Sequence, residues 1–96
     1  YNLAGTQAAS EFTYSDNKWD FGQAIKDAQG RRRVFEFGCG NGNFLSRIQR
    51  SIPEVAGLEY NPEAVRAARD KGLKVYTPED GPRAFDGQWD AAFSFH

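Results

Sequence analysis

Three glycines at alternate positions, Gly38, Gly40 and Gly42, follow directly on the run Val34-Phe35-Glu36-Phe37. After them, Phe44, Leu45 and Ile48 fall on one side of a helix. Strand, glycine turn and helix in immediate succession restrict the chain to a few α/β arrangements. Glycines at such a turn accept backbone angles that side chains resist, and they let a ligand approach the main chain. The free N–H groups of the following helix point into the same space.

The rest of the chain repeats the alternation. Val55 to Tyr60 reads as a second strand. Asn61-Pro62-Glu63 then carries the marks of a helix start: Asn as cap, Pro in the first turn and an acid beside it. Ala64, Val65, Ala67 and Ala68 form the inner face, and Gly72 is the stop. Leu73 to Tyr76 and Trp89 to Phe95 read as third and fourth strands, separated by a loop marked by Pro78, Gly81, Pro82 and Gly87. Before the first strand, Asp16 or Asn17 caps an expected helix from about Lys18 to Ala28, ended by Gly30. Residues 1–10 have no clear period and are expected to be loosely ordered, with the ligand-binding domain over 11–96. The expected order is α-β-α-β-α-β-loop-β. That implies right-handed crossovers, a parallel sheet and a ligand beyond the carboxyl ends of the strands.

Composition narrows the functions. The 96 residues allow one domain at most. Twelve Lys and Arg against 13 Asp and Glu leave no basic excess for nucleic acid. Arg31-Arg32-Arg33 therefore reads as a solvated connection rather than a phosphate patch. No stretch approaches the roughly 20 apolar residues of a membrane span, and the first 20 residues hold no secretory signal. One cysteine excludes an internal disulfide, and with one histidine no multi-ligand metal site is expected. A cytoplasmic enzyme or binding domain remains. The chain has no methionine and ends at His96 within the fourth strand, so it reads as part of a larger domain. The outer edge of that strand is then expected to be bare, and a bare edge invites self-association.

Glu59 ends the second strand 21 residues after Gly38. A carboxylate there can accept bonds from both hydroxyls of a ribose. The glycine spacing differs from the dinucleotide pattern G-x-G-x-x-G, since Gly42 comes one residue early. Glu36, two residues before the first glycine, would repel a pyrophosphate and attract a cation. S-adenosylmethionine carries a sulfonium and an ammonium and no phosphate.

The segment from Val34 to Phe44 resembles motif I of the class I, Rossmann-like S-adenosylmethionine-dependent methyltransferases. Gly57 to Pro62 resembles their following acidic motif. Phe85 to His96 is similar to the fourth-strand motif of the branch that acts on small molecules. The resemblance implies a seven-stranded sheet, of which this chain holds about four strands, and transfer of a methyl group to a small-molecule acceptor. It implies that Gly38, Cys39, Gly40 and Gly42 form the loop under the cofactor, and that Glu36 lies near the methionine amino group. It also implies that Glu59 holds the ribose and that Tyr60 packs on the adenine. Asp80, with Glu79 as alternative, meets the adenine amino group, and Ser94 and Phe95 line the methionine side. Tyr14 or Trp19 is a candidate cover from the N-terminal region. Cys39 reads as a small buried side chain, and His96 is the weak candidate for a base. Two other readings stay open: a non-catalytic domain of the same fold, and a nicotinamide-dependent oxidoreductase.

Overall fold

The computed structural model describes residues 8–15, 18–80 and 89–95. Over these the chain runs β1 (Ala8–Tyr14), α1 (Lys18–Ala28), β2 (Arg33–Phe37), α2 (Asn43–Ile48), β3 (Glu54–Leu58), α3 (Pro62–Asp70), β4 (Lys74–Tyr76) and β5 (Trp89–Phe95). The strands form one sheet in the order β1-β5-β2-β3-β4, and every pairing is parallel. This is the parallel α/β sheet that the alternation implies, with the flanking helices of the Rossmann-like fold that the resemblance implies. No helix among the described residues is long and apolar enough to cross a membrane.

Two expectations are corrected here. Residues 8–14 are a strand, so residues 8–10 belong to the sheet rather than to a loosely ordered segment. Consequently the outer edge of β5 is not bare: it pairs with β1 from Ala8 opposite Trp89 to Tyr14 opposite Phe95. Among the described residues the sheet has five strands rather than about four, with β1 and β4 outermost.

The pleat sends alternate side chains to opposite faces. Val34, Ala91 and Phe93 join Ala24 and Ala28 of α1, Phe44, Leu45 and Ile48 of α2, and Val65 and Ala68 of α3 in one core. Phe35, Phe37, Ala56, Leu58, Trp89 and Ala92 form a second cluster on the other face. Phe93 is fully buried and stacks on Phe12 of β1, with ring centroids 4.9 Å apart. The arginine run serves this framework. Arg33 forks onto Glu54 at 3.0 and 3.1 Å and lies 4.5 Å over the Trp89 ring. The pair and the stack pin the starts of β2, β3 and β5 together.

Sequence signals place the helices. Asn61 caps α3, accepting N–H bonds from Glu63 at 2.9 Å and Ala64 at 3.1 Å, with Pro62 as the first helical residue. Gly72 then leaves the helix with φ of 83°. Gly42 is the most constrained position of the turn. Its φ is 87°, and a Cβ added there would stand 2.2 Å from Leu73 Cδ1 and 3.3 Å from Ala68 Cβ. Gly42→Ala therefore combines left-handed strain, about 1 kcal/mol, with overpacking of about 1–3 kcal/mol. The expected result is a loss of at least about 2 kcal/mol in denaturant unfolding, with an unchanged m-value.

Candidate functional site

The chain leaves β2, proceeds outward through β3 and β4, and returns to β5 on the other side of β2. The order of travel thus reverses between β2 and β5. In open parallel sheets a crevice forms at such a reversal, beyond the strand ends. A cavity of about 350 Å³ lies there. Gly38, Cys39 and Gly40 form its floor, Glu36 reaches it from β2, and Phe21, Phe44 and Phe95 supply aromatic walls from α1, α2 and β5.

Glu36 is the unusual member of this site. It shares a face with the core residue Val34 and is only 4% exposed. Its Oε1 has no hydrogen-bond partner. Burial pushes its carboxyl up to about 8, and the neighbouring charge of Glu59 adds to the shift. The site thus contains a buried acid whose carboxylate form a nearby cation would favour.

Glu59 ties the site together. One carboxylate oxygen accepts the Gly40 N–H at 2.8 Å, and the other accepts those of Tyr60 and Asn61, both at 2.9 Å. The acid therefore locks the glycine loop to the start of the β3–α3 connection. On the far side of that connection, Tyr60, Arg66, Thr77 and Glu79 line a second cavity of about 500 Å³. Tyr60 is 65% exposed there, an open aromatic face.

Cys39 is buried, and its N–H donates to Leu58 O at 3.0 Å. Burial pushes its thiol up to about 12, which leaves it a neutral space-filling group. It also explains Gly57: a Cβ at that position would stand 2.7 Å from both Cβ and Sγ of Cys39. The loop packs this closely on β3 because β3 carries a glycine there.

The structure brings Glu36, Gly38, Cys39, Gly40 and Phe95 to one cavity and Tyr60 to the other. Gly42 is buried against Leu73 beneath the loop. Ser94 departs from its expected place. It alternates with Phe93 and Phe95, so the pleat turns it to the opposite face, where its hydroxyl lies 3.4 Å from that of Thr13. Asp80 is engaged locally, accepting the Thr77 N–H at 2.8 Å and lying 3.9 Å from Arg69. Glu79, the alternative, is the acid that lines the second cavity. Tyr14 donates its hydroxyl to Asp27 and stacks on Phe95 at 5.6 Å, behind the cavity wall rather than in it. The Trp19 side chain and His96 lie outside the described residues.

Sequence reasoning overlooked two walls, Phe21 and Phe44. Phe44 was legible only as a helical core residue. Phe21 shares a face with Ala24, Ile25 and Ala28, a stripe that aims its first member at the loop.

No family model matches the chain. Among curated proteins, a tabtoxin biosynthesis enzyme of Pseudomonas amygdali pv. tabaci is 35% identical over 46 residues, which is 48% of this chain and 18% of that protein. A ribosomal protein L11 methyltransferase of Xanthomonas oryzae pv. oryzae is 28% identical over 74 residues, 68% of this chain and 24% of that protein. Two solved structures are similar in fold. The YcgJ protein of Bacillus subtilis has a TM-score of 0.51 and 24% identity, covering 59% of this chain and 28% of its own. CalS10 of Micromonospora echinaspora, an amino pentose methyltransferase solved with S-adenosylmethionine bound, has a TM-score of 0.50 and 27% identity. It covers 65% of this chain and 30% of its own. The chain thus spans no more than about a quarter of the length of these curated relatives.

Proposed function

We propose that this chain, which has the fold of the Rossmann-like S-adenosylmethionine-dependent methyltransferases, forms the cofactor-binding part of such an enzyme and serves methyl transfer to a small molecule. The observation that carries the reading is Glu36: a buried carboxyl whose Oε1 has no partner, facing a cavity above a glycine loop. A dinucleotide would bring phosphates toward that acid, whereas S-adenosylmethionine brings an ammonium and a sulfonium.

The residues fit this cofactor. Gly38 and Gly40 offer a backbone floor without side chains, and Glu36 faces the methionine end. Glu59, which bonds the N–H groups of Gly40, Tyr60 and Asn61, is the candidate acceptor for a ribose, and Tyr60 and Glu79 are the candidates for the adenine end. The bound sulfonium supplies a methyl group that is already activated. The chain then has to orient it and exclude water, and the walls of Phe21, Phe44 and Phe95 suit that task.

A protein acceptor is the second reading, favoured by the likeness to a ribosomal protein methyltransferase. Transfer of labelled methyl by the full-length protein decides between them. Label appearing on a panel of small amines and hydroxyl compounds is the expected result. Label appearing only on added ribosomal protein would contradict the small-molecule reading.

A further inference from the structure

We propose that a cationic ligand entering the cavity above the glycine loop displaces one proton from Glu36, so that capture is an exchange of a proton for a cation and its strength follows pH. This inference rests on the methyltransferase reading of the same site.

The geometry supplies the reason. Glu36 is buried, Oε1 has no partner, and among the described residues the cavity it faces offers no counter-charge. From α1 the cavity receives Phe21, from α2 Phe44 and Asn43, and from β5 Phe95. Cys39, beside it in the loop, is a neutral thiol. Arg47 of α2 lies over the Phe21 ring at 5.7 Å, and Asp20 and Asp27 of α1 are bonded to Ser15 and Tyr14. Glu59 is the charge that acts on Glu36, and its sign opposes ionisation. Three backbone N–H bonds occupy the Glu59 carboxylate oxygens, whereas Glu36 Oε1 has no partner. Without ligand, the carboxylic acid form is therefore favoured at neutral pH. An ammonium placed against Glu36 reverses that preference. The O–H bond of Glu36 breaks, the proton passes to solvent, and the carboxylate that remains pairs with the cation.

The test uses S-adenosylhomocysteine, which keeps the ammonium and lacks the sulfonium, on the full-length protein. Titration calorimetry at pH 7 in phosphate and in Tris reads protons exchanged from the difference in heat. The expected result is release of about one proton, with Kd tightening about tenfold from pH 6 to pH 7. Glu36→Gln, which cannot ionise, is expected to bind with equal heat in both buffers and with a flat pH profile. Buffer-independent heat in the wild type would overturn the proton exchange while leaving the methyltransferase reading standing. Equal proton release by wild type and Glu36→Gln would assign the proton elsewhere and also overturn it. No binding of S-adenosylhomocysteine at either pH would overturn the underlying reading, and this inference with it.

Discussion

Glu36→Gln is expected to make the ligand-free protein more stable at pH 8 and to flatten its stability between pH 5 and pH 8. The acid titrates near 4.5 when free and near 8 in the fold. The folded state therefore holds the proton over a range in which the unfolded chain has lost it. Stability from this group is fully present below about pH 4.5 and is lost as pH rises toward 8. At about 1.4 kcal/mol per pH unit, the whole window is worth on the order of 5 kcal/mol. Glu54 and Asp90 do not mask the slope. Their pKa values are lowered by Arg33 and by the backbone N–H groups of Arg32 and Arg33, so their contributions are complete before pH 5. Thermal unfolding is expected to show the wild-type Tm falling by about 10 °C or more from pH 5 to pH 8, with the variant nearly level. Parallel profiles for the two proteins would show that Glu36 ionises freely in the fold.

Glu59→Ala is expected to weaken S-adenosylhomocysteine binding by about 100-fold or more. The two charge-assisted bonds proposed to a ribose would be lost, each worth about 1.5–3 kcal/mol. The substitution also frees the N–H groups of Gly40, Tyr60 and Asn61. Amide exchange at Gly40 and Tyr60 is therefore expected to speed up even without ligand, while the core amides of β2 and β3 keep their protection. Glu59→Gln retains an acceptor and is expected to restore part of the loop protection but little of the affinity. Unchanged affinity in Glu59→Ala would remove the ribose role. Unchanged exchange at Gly40 would remove the locking role.

Much of this site was legible because its signals are local. Gly38, Gly40 and Gly42 require a particular backbone, and Asn61-Pro62 fixes where α3 begins, so loop and helix follow from short stretches of chain. The departures are tertiary. β1 has the alternation of a strand at Phe12 and Tyr14. Its pairing is settled only by β5, where Phe93 and Phe95 offer rings to stack on. Ser94 follows the pleat: once Phe95 faces the cavity, its neighbour cannot. Glu79 rather than Asp80 lines the second cavity, because Asp80 folds back onto Thr77 in a tight turn, a register that Pro78 conceals. The burial of Glu36 is also tertiary. One acid in an apolar strand reads equally as exposed or buried until α1 and α2 close over it.

The site at the ends of β2 and β5 is expected to take S-adenosylmethionine rather than a dinucleotide. Thermal unfolding of the full-length protein with S-adenosylhomocysteine, with NAD and with neither tests it most directly. A ligand at 100 times its Kd stabilises by about 2.7 kcal/mol. The expected result is a rise in Tm with S-adenosylhomocysteine alone, absent in Glu59→Ala. A rise with NAD alone would contradict it and assign the glycine loop to a nicotinamide cofactor.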